Sequence, residues 1–305
     1  MDIITQEIDG ISFRLKTPRD LSFIRRYGKV FTAIDGTGSG CICFGVRGES
    51  GKYFVKIAGA DTTEAECSPS EAVKALQNAA AVYTALRHPS LIKMIEHYRY
   101  EDLYVAVFEW ADGEGLFDHW NFEKYEREGT VPPNVRFKML PYAKKIAAAL
   151  DIVSFFENTA KQGYIGCDFY DGSLIYDFEK DKLTICDIDL FKKAPVVNDT
   201  GEDYWGTKRL KAPEEYELGA EIGQDTNVFT LGALFFDMFG TFSDEDIRNR
   251  YINSRFTPCL PDKWTLSEEL YRVLEKAVSP DRMNRYRTIS DFAKACRGAA
   301  ERYTR

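Results

Sequence analysis

Paired cysteines are missing from this sequence. Its seven Cys are odd in number and scattered, with no CxxC spacing. Neither a disulfide framework nor a cysteine-held metal is expected, and reduced thiols are. Positive charge is not in excess either. The formal net charge is −8, which excludes a global basic field for nucleic acid or anionic lipid and leaves only local patches. No apolar run reaches the roughly 20 residues that a membrane span needs. The opening stretch MDIITQEIDG has neither a basic n-region nor an apolar h-region. No secretory signal is therefore expected, and a cytoplasmic location is. Internal repeats and low-complexity tracts are absent.

What remains suits a folded protein. The 305 residues are 44% hydrophobic and 14% aromatic, enough for one large domain or two modest ones. The first third reads as strands. Residues 41–47 (CICFGVR) and 52–57 (KYFVKI) flank the turn Gly48-Glu49-Ser50-Gly51, a hairpin pattern. Ser68 or Ser70 is positioned to cap a helix running to about Arg87, ahead of Pro89. LYVAVFEW (103–110) reads as a strand, and a boundary is expected near Asp112. Residues 112–136 are polar and contain Pro132-Pro133, which reads as a surface insertion. Helical spacing of Ile146, Leu150, Val153 and Phe156 predicts a helix over 137–160. LIYD (174–177) and LTIC (183–186) read as short strands, and helices are expected over about 225–239, 266–278 and 288–302. Strands before helices make an α+β pattern with parts 1–111 and 112–305.

Three groups of residues can carry chemistry. Gly36, Thr37, Gly38, Ser39 and Gly40 form a loop before a strand. Glycines let backbone N–H groups approach phosphate oxygens closely, although small residues equally mark an ordinary turn. Lys56 lies twenty residues on, in a strand. It is either a solvated edge residue or a phosphate ligand. Asp168, Asp187 and Asp189 stand around a short two-strand unit. Isolated Asp residues near turns are usually caps, but grouped ones can orient a hydroxyl nucleophile and hold magnesium. The third group is Ala212-Pro213-Glu214 after Gly206-Thr207, then Asp225 and Arg285. Each of these charges alone reads as surface.

In order and spacing, the three groups resemble the eukaryotic-type Ser/Thr protein kinases, including bacterial members, over about residues 25–300. The resemblance implies a bilobal fold, with a β-rich N-lobe, a helical C-lobe and a nucleoside triphosphate between them. Gly36, Gly38 and Ser39 resemble the glycine-rich loop, and Lys56 the strand lysine that pairs with phosphates. Phe108 resembles the residue guarding the adenine pocket, and Glu109-Trp110-Ala111 the hinge, so Glu109 and Ala111 are expected to bind the cofactor. Asp168 resembles the catalytic Asp, and Asp187 the magnesium-binding Asp. The Thr207 counterpart hydrogen-bonds near the catalytic Asp. Glu214 is expected to pair with Arg285, and Asp225 to help anchor the activation segment.

The departures are specific. Cys41 stands where the third loop glycine belongs. Ala79 stands where the helix Glu that pairs with the strand lysine is expected, leaving Glu71 as a weak substitute. His-Arg-Asp is Gly166-Cys167-Asp168, and Tyr170 replaces the Lys two residues after the catalytic Asp. Ser173 replaces the second metal-binding Asn, and Asp-Phe-Gly is Asp187-Ile188-Asp189. Small-molecule kinases of the aminoglycoside phosphotransferase type often show such an aspartate-rich motif. A group of bacterial kinase-like proteins looks similar around DFYDGS and ICDID. The GT…APE segment favours the protein-kinase branch.

The resemblance thus implies ATP and magnesium, with Asp187, Ser173 and Asp189 as metal ligands, Asp171 being another candidate. The substrate is a protein with a Ser/Thr acceptor or a small molecule. No nucleic acid or membrane partner is expected. The alternatives are a nucleotide-binding pseudokinase acting as a regulatory module, and a purely structural interaction module. Cys167 cannot gather a loop phosphate as Arg does. Catalysis is therefore expected not to depend on phosphorylation of Thr200 or Tyr204, which read as ordinary loop residues. Dependence would instead require a basic receptor such as Lys192, Lys193 or Arg209.

Overall fold

Alternating apolar residues build the first part of the chain into strands. The computed structural model describes residues 3–117 and 122–303. Strands β1 (Ile4–Ile8) and β2 (Ile11–Leu15) form a hairpin. Then come β3 (Lys29–Ile34), β4 (Cys41–Gly48), β5 (Gly51–Ala58), helix α1 (Pro69–Ala85), β6 (Met94–Tyr100) and β7 (Leu103–Glu109). The five strands β3 to β7 make one antiparallel sheet in the order β3-β4-β5-β7-β6. Ile42, Phe44 and Val46 of β4 and Val55 and Ile57 of β5 enter one core cluster with Val105 and Val107. Period-two alternation then puts Cys43, Lys56 and Ala106, paired in one row, on the other face. The hairpin read from 41–57 is present, with Gly48 opposite Gly51.

Helix α1 begins where its cap dictates. The Ser68 hydroxyl accepts the Glu71 N–H, and Glu71 Oε2 accepts the Ser68 N–H, a capping box. The first residues are not a loose tail. Phe13, Leu15, Leu21 and Ile24 are buried in the sheet's core, and Phe13 meets Phe44 edge-on at 5.3 Å.

The chain then changes character. Strand β8 (Glu114–Gly115) is followed by helices α2 (Phe122–Glu128), α3 (Pro133–Lys138) and α4 (Tyr142–Lys161). After β9 (Tyr164–Ile165), β10 (Leu174–Asp177) and β11 (Lys182–Ile185) come β12 (Lys192–Lys193), β13 (Val196–Val197) and β14 (Glu221–Ile222). Helices α5 (Gln224–Phe239), α6 (Asp244–Asn253), α7 (Glu268–Ala277) and α8 (Ile289–Tyr303) complete it. Helix α4 packs on α8, and α5 on α7 and α8. The protein is thus α+β, sheet-rich toward the N-terminus and helical toward the C-terminus. It divides into two compact units, residues 1–87 with 92–111 and residues 88–91 with 112–305. Among the described residues, no helix is long and apolar enough to cross a membrane.

Two expectations need correction. The helix expected over 137–160 is two helices. Pro141 has no N–H to continue α3, and it serves as the N-cap residue of α4. Residues 112–136 are only partly an insertion. Strand β8 pairs with β10, and Leu116 and Pro133 are buried. The sequence LF before the polar run already carried that apolar anchor. Residues 118–121 lie outside the described part.

Candidate functional site

The second unit gathers most of the chemistry-bearing residues around the stretch 165–173. This stretch follows α4 and is held from below by aromatic packing. Phe156 of α4 meets Phe169 at 4.9 Å, and Phe191 lies against both. A Cβ on Gly166 would meet the Phe156 ring at 2.7 Å. Gly166 stands here because the ring fills the space a side chain needs. Helix α5 grips the same residue: Asn227 Oδ1 accepts the Gly166 N–H at 2.8 Å, and its Nδ2 donates to the Gly166 carbonyl at 2.6 Å. An amide is suited to this, being donor and acceptor at once.

Two residues beyond this clamp, Asp168 adopts φ +54°, and Asp187 adopts φ +52° after β11. Asp tolerates the left-handed region better than most residues. Burial, and then the Asp187 charge, push the Asp168 carboxyl up to about 6. The Thr207 main-chain N–H and the Lys211 charge both act on this carboxyl in the opposite direction to burial. Thr207 thus reaches Asp168 through its main chain, which is compatible with any residue but proline. Tyr170 stands beside these groups. Burial, then the Asp187 and Asp168 charges, push its phenol up to about 12, so it is a neutral donor at physiological pH.

Ser173 is fully buried, and its Oγ lacks a hydrogen-bond partner. Its carbonyl accepts the Cys186 N–H at 2.8 Å, which fixes Ser173 to the residue before Asp187. An orphaned buried oxygen suits a hard, oxygen-seeking cation. Asp189, the other residue expected to hold metal, is half-buried. Among the described residues, no three His, Cys, Asp or Glu side chains come together as a metal group. The set present fits magnesium arriving with phosphate oxygens and water rather than a resident ion in a protein cage.

Asp171 does not join it. Its carboxylate is buried against the Arg209 guanidinium, which also holds Asp237, and Asp237 accepts Arg250 Nη1 at 2.7 Å. This chain of charges consumes Arg209 as well, so Arg209 is no receptor for a loop phosphate. The reason is burial: at 9% exposure a guanidinium needs carboxylate partners.

Further along, the expected Glu214–Arg285 pair is present and buried. Arg285 Nη1 and Nη2 donate to Glu214 Oε1 and Oε2 at 2.7 and 3.0 Å, with side-chain exposures of 0% and 4%. Asp225, expected to help anchor the activation segment, binds Arg282 in two places, at 2.6 and 2.8 Å. Tyr204 departs from its expected role as an ordinary loop residue. It is 1% exposed and shares a small core with Ile165, Cys167, Val196 and Ile222. The sequence signal was weak: one aromatic in a polar stretch. Thr200 is exposed.

The first unit holds the remaining candidates. Lys56 is half-buried on β5, and the small, fully buried Ala79 lies on α1. Tyr83 of α1 meets Phe108 at 4.9 Å, so α1 covers the same sheet face. Glu71 is not a substitute partner for Lys56, because its carboxylate is spent on the exposed α1 cap. Glu109 donates its N–H to the Lys93 carbonyl and pairs with Lys93 Nζ at 2.6 Å. Ala111 closes the unit. Trp110 packs edge-on against Phe31 at 4.9 Å.

The glycine loop is turned by Thr37, whose hydroxyl donates to the Cys41 carbonyl at 2.6 Å and contacts the Ser39 hydroxyl at 3.2 Å. Gly40 needs its φ of +70° and has Ala72 and Cys67 close by. Sequence reasoning missed what faces the loop. The Glu66 N–H donates to the Gly38 carbonyl at 3.0 Å. A Cβ on Gly36 would lie 3.3 Å from Glu64 Oε1, and one on Gly38 3.4 Å from the Glu66 carboxyl carbon. Two carboxylates therefore flank the glycines. No protein-family model matches the chain, and no curated protein matches it.

Proposed function

We propose that the chain is an ATP-dependent phosphotransferase with a bilobal, protein-kinase-like fold and atypical catalytic groups. The observation that carries this reading is the Asp168 site. Asp168 is clamped through Gly166 by Asn227, with a pKa raised toward neutrality by burial and Asp187. A carboxylate so placed suits accepting a proton from an attacking hydroxyl. The resemblance assigns Lys56 and the glycine loop to the phosphates, and Glu109 and Ala111 to the base. Asp187 and Ser173, with Asp189 beside them, would hold magnesium. Magnesium would neutralise charge on the phosphates. Tyr170 offers a hydrogen bond but no cation where the resemblance implies Lys. The acceptor is a Ser/Thr hydroxyl of a protein, or the hydroxyl of a small molecule.

A second reading is favoured by Glu64 and Glu66. Carboxylates beside a glycine loop oppose phosphate oxygens, as expected of a kinase-like regulatory module with weak or no turnover. Incubation with magnesium and γ-labelled ATP separates the two. Release or transfer of label by wild type and its loss in Asp168→Asn support the enzyme. Nucleotide binding with no turnover in either supports the module. Label on protein or on a small molecule identifies the acceptor class.

A further inference from the structure

Lys211 is a buried cation whose charge acts on Asp168 but to which the proposed reaction gives no step of its own. It is 5% exposed, and its Nζ donates to the Tyr204 carbonyl and, at 3.4 Å, to the Glu202 carbonyl. Its stem runs beneath Gly206, where a Cβ would lie 3.3 Å from Lys211 Cε and 3.8 Å from Glu215 Oε1. The Glu215 carboxyl beside it accepts the Ala212 N–H at 2.7 Å. A buried ammonium is costly unless bonded, so these carbonyls are held where it needs them. Tyr204, fixed from one side by Lys211, is fixed from the other by its hydroxyl, 3.4 Å from Cys167 Sγ. Lys192 Nζ lies over its ring at 5.3 Å. Asn198 closes the start of the segment, accepting the Thr200 and Gly201 N–H groups and donating to the Gly201 carbonyl.

We propose that Lys211 is the positioning residue that builds residues 198–207 into their working conformation, with Tyr204 as its buried anchor. The proposal rests on the phosphotransferase reading only for its consequence at Asp168. The segment leads directly from Tyr204 to Thr207, whose N–H reaches Asp168. Where a phosphate gathered by Arg would order such a segment from outside, an internal ammonium orders it from below. Modification of Tyr204 has the opposite sign to activation. A phosphate cannot fit against Cys167 in a core of Ile165, Val196 and Ile222, so phosphorylation there would dismantle the segment.

The test is hydrogen exchange of residues 198–207 in full-length, phosphatase-treated protein without nucleotide. Wild type is expected to be protected. Lys211→Met should speed exchange about tenfold or more, the scale of a lost bond to a charged donor. Lys211→Arg should restore much of the protection, which a mere volume effect would not. Protection of α5 in the same samples reports whether the variant folds, and Lys211→Gln replaces Lys211→Met if it does not. Rapid exchange of the segment in unphosphorylated wild type, or unchanged exchange in Lys211→Met and Lys211→Gln, overturns the proposal. If ATP is turned over, Lys211→Met should lower kcat with little change in the KM for ATP. Absence of turnover with Lys211-dependent protection would remove the phosphotransferase reading and leave the positioning role standing.

Discussion

Asp168 is the residue on which the proposed chemistry rests most. Burial and the Asp187 charge favour its protonated form, so its pKa in the folded protein lies near 6, above the ordinary value of 3.8. The folded state therefore binds this proton more tightly than the unfolded chain. Its contribution to stability is favourable at low pH and is lost as pH rises from about 4 to about 6. Activity has the opposite sign, because a proton acceptor must be ionised. Turnover should fall about tenfold per pH unit below about 6, measured as kcat against pH, and Asp168→Asn should lower it by about 10² to 10⁴. Thr207 gives a sharper contrast. Its contact is the main-chain N–H, so Thr207→Ala should keep most activity whereas Thr207→Pro should abolish it. Asp168, Asp187 and Ser173 were singled out by the order and spacing in which the chain resembles a kinase family. Asn227, Lys211 and Tyr204 were not, because an amide in a helix, a lysine near a proline and a tyrosine in a polar loop have no spacing that marks them. Their roles appear only when Gly166, Tyr204 O and Cys167 are brought to them by the fold.

At the scale of elements, local signals were read well where physics is local. Ser68 with Glu71 starts α1, and the turn at Gly48–Gly51 sets the β4–β5 register. Reading failed where a single residue competes with a long pattern. A single helix was expected from 137 to 160, yet Pro141 separates α3 from α4. Tertiary contacts also escaped, as when β8 inside a polar stretch pairs with β10. The Glu214–Arg285 pair shows the reverse case. Residues 71 apart were matched by resemblance and are joined by two bonds in a nearly dry site. Arg285 additionally donates to the Ser279 and Pro280 carbonyls, so its loss strands several acceptors. Arg285→Met should cost about 3–5 kcal/mol in denaturant unfolding, because Glu214 is left buried with both of its short hydrogen bonds lost and only Arg282, at 3.8 Å, to offset its charge. A cost near that of an exposed pair, about 0–1 kcal/mol, would show that water reaches Glu214.

For the whole molecule the proposal turns on whether a nucleotide is bound, and the candidate residues of each unit bear on it separately. The second unit offers a carboxylate and an orphaned hydroxyl, at Asp187 and Ser173. The first offers Lys56 and glycines but sets Glu64 and Glu66 beside those glycines. A ligand selective for the folded state stabilises it by RT ln(1 + [L]/Kd), about 2.7 kcal/mol at a hundredfold excess over Kd. ATP with magnesium should therefore raise Tm, and ATP without magnesium should raise it less. Lys56→Ala and Asp187→Ala should each diminish the shift. The acidic neighbours permit a test with the opposite outcome. Charge removal by Glu64→Gln and Glu66→Gln together should enlarge the ATP shift, more so at low salt, since exposed charges are screened within about 10 Å at 0.1 M. An unchanged shift in that double variant would mean that the carboxylates move aside at no cost when phosphate arrives. If ATP gives no shift in wild type but gives one in the double variant, the glycine loop is a phosphate cradle held shut by its own acidic neighbours.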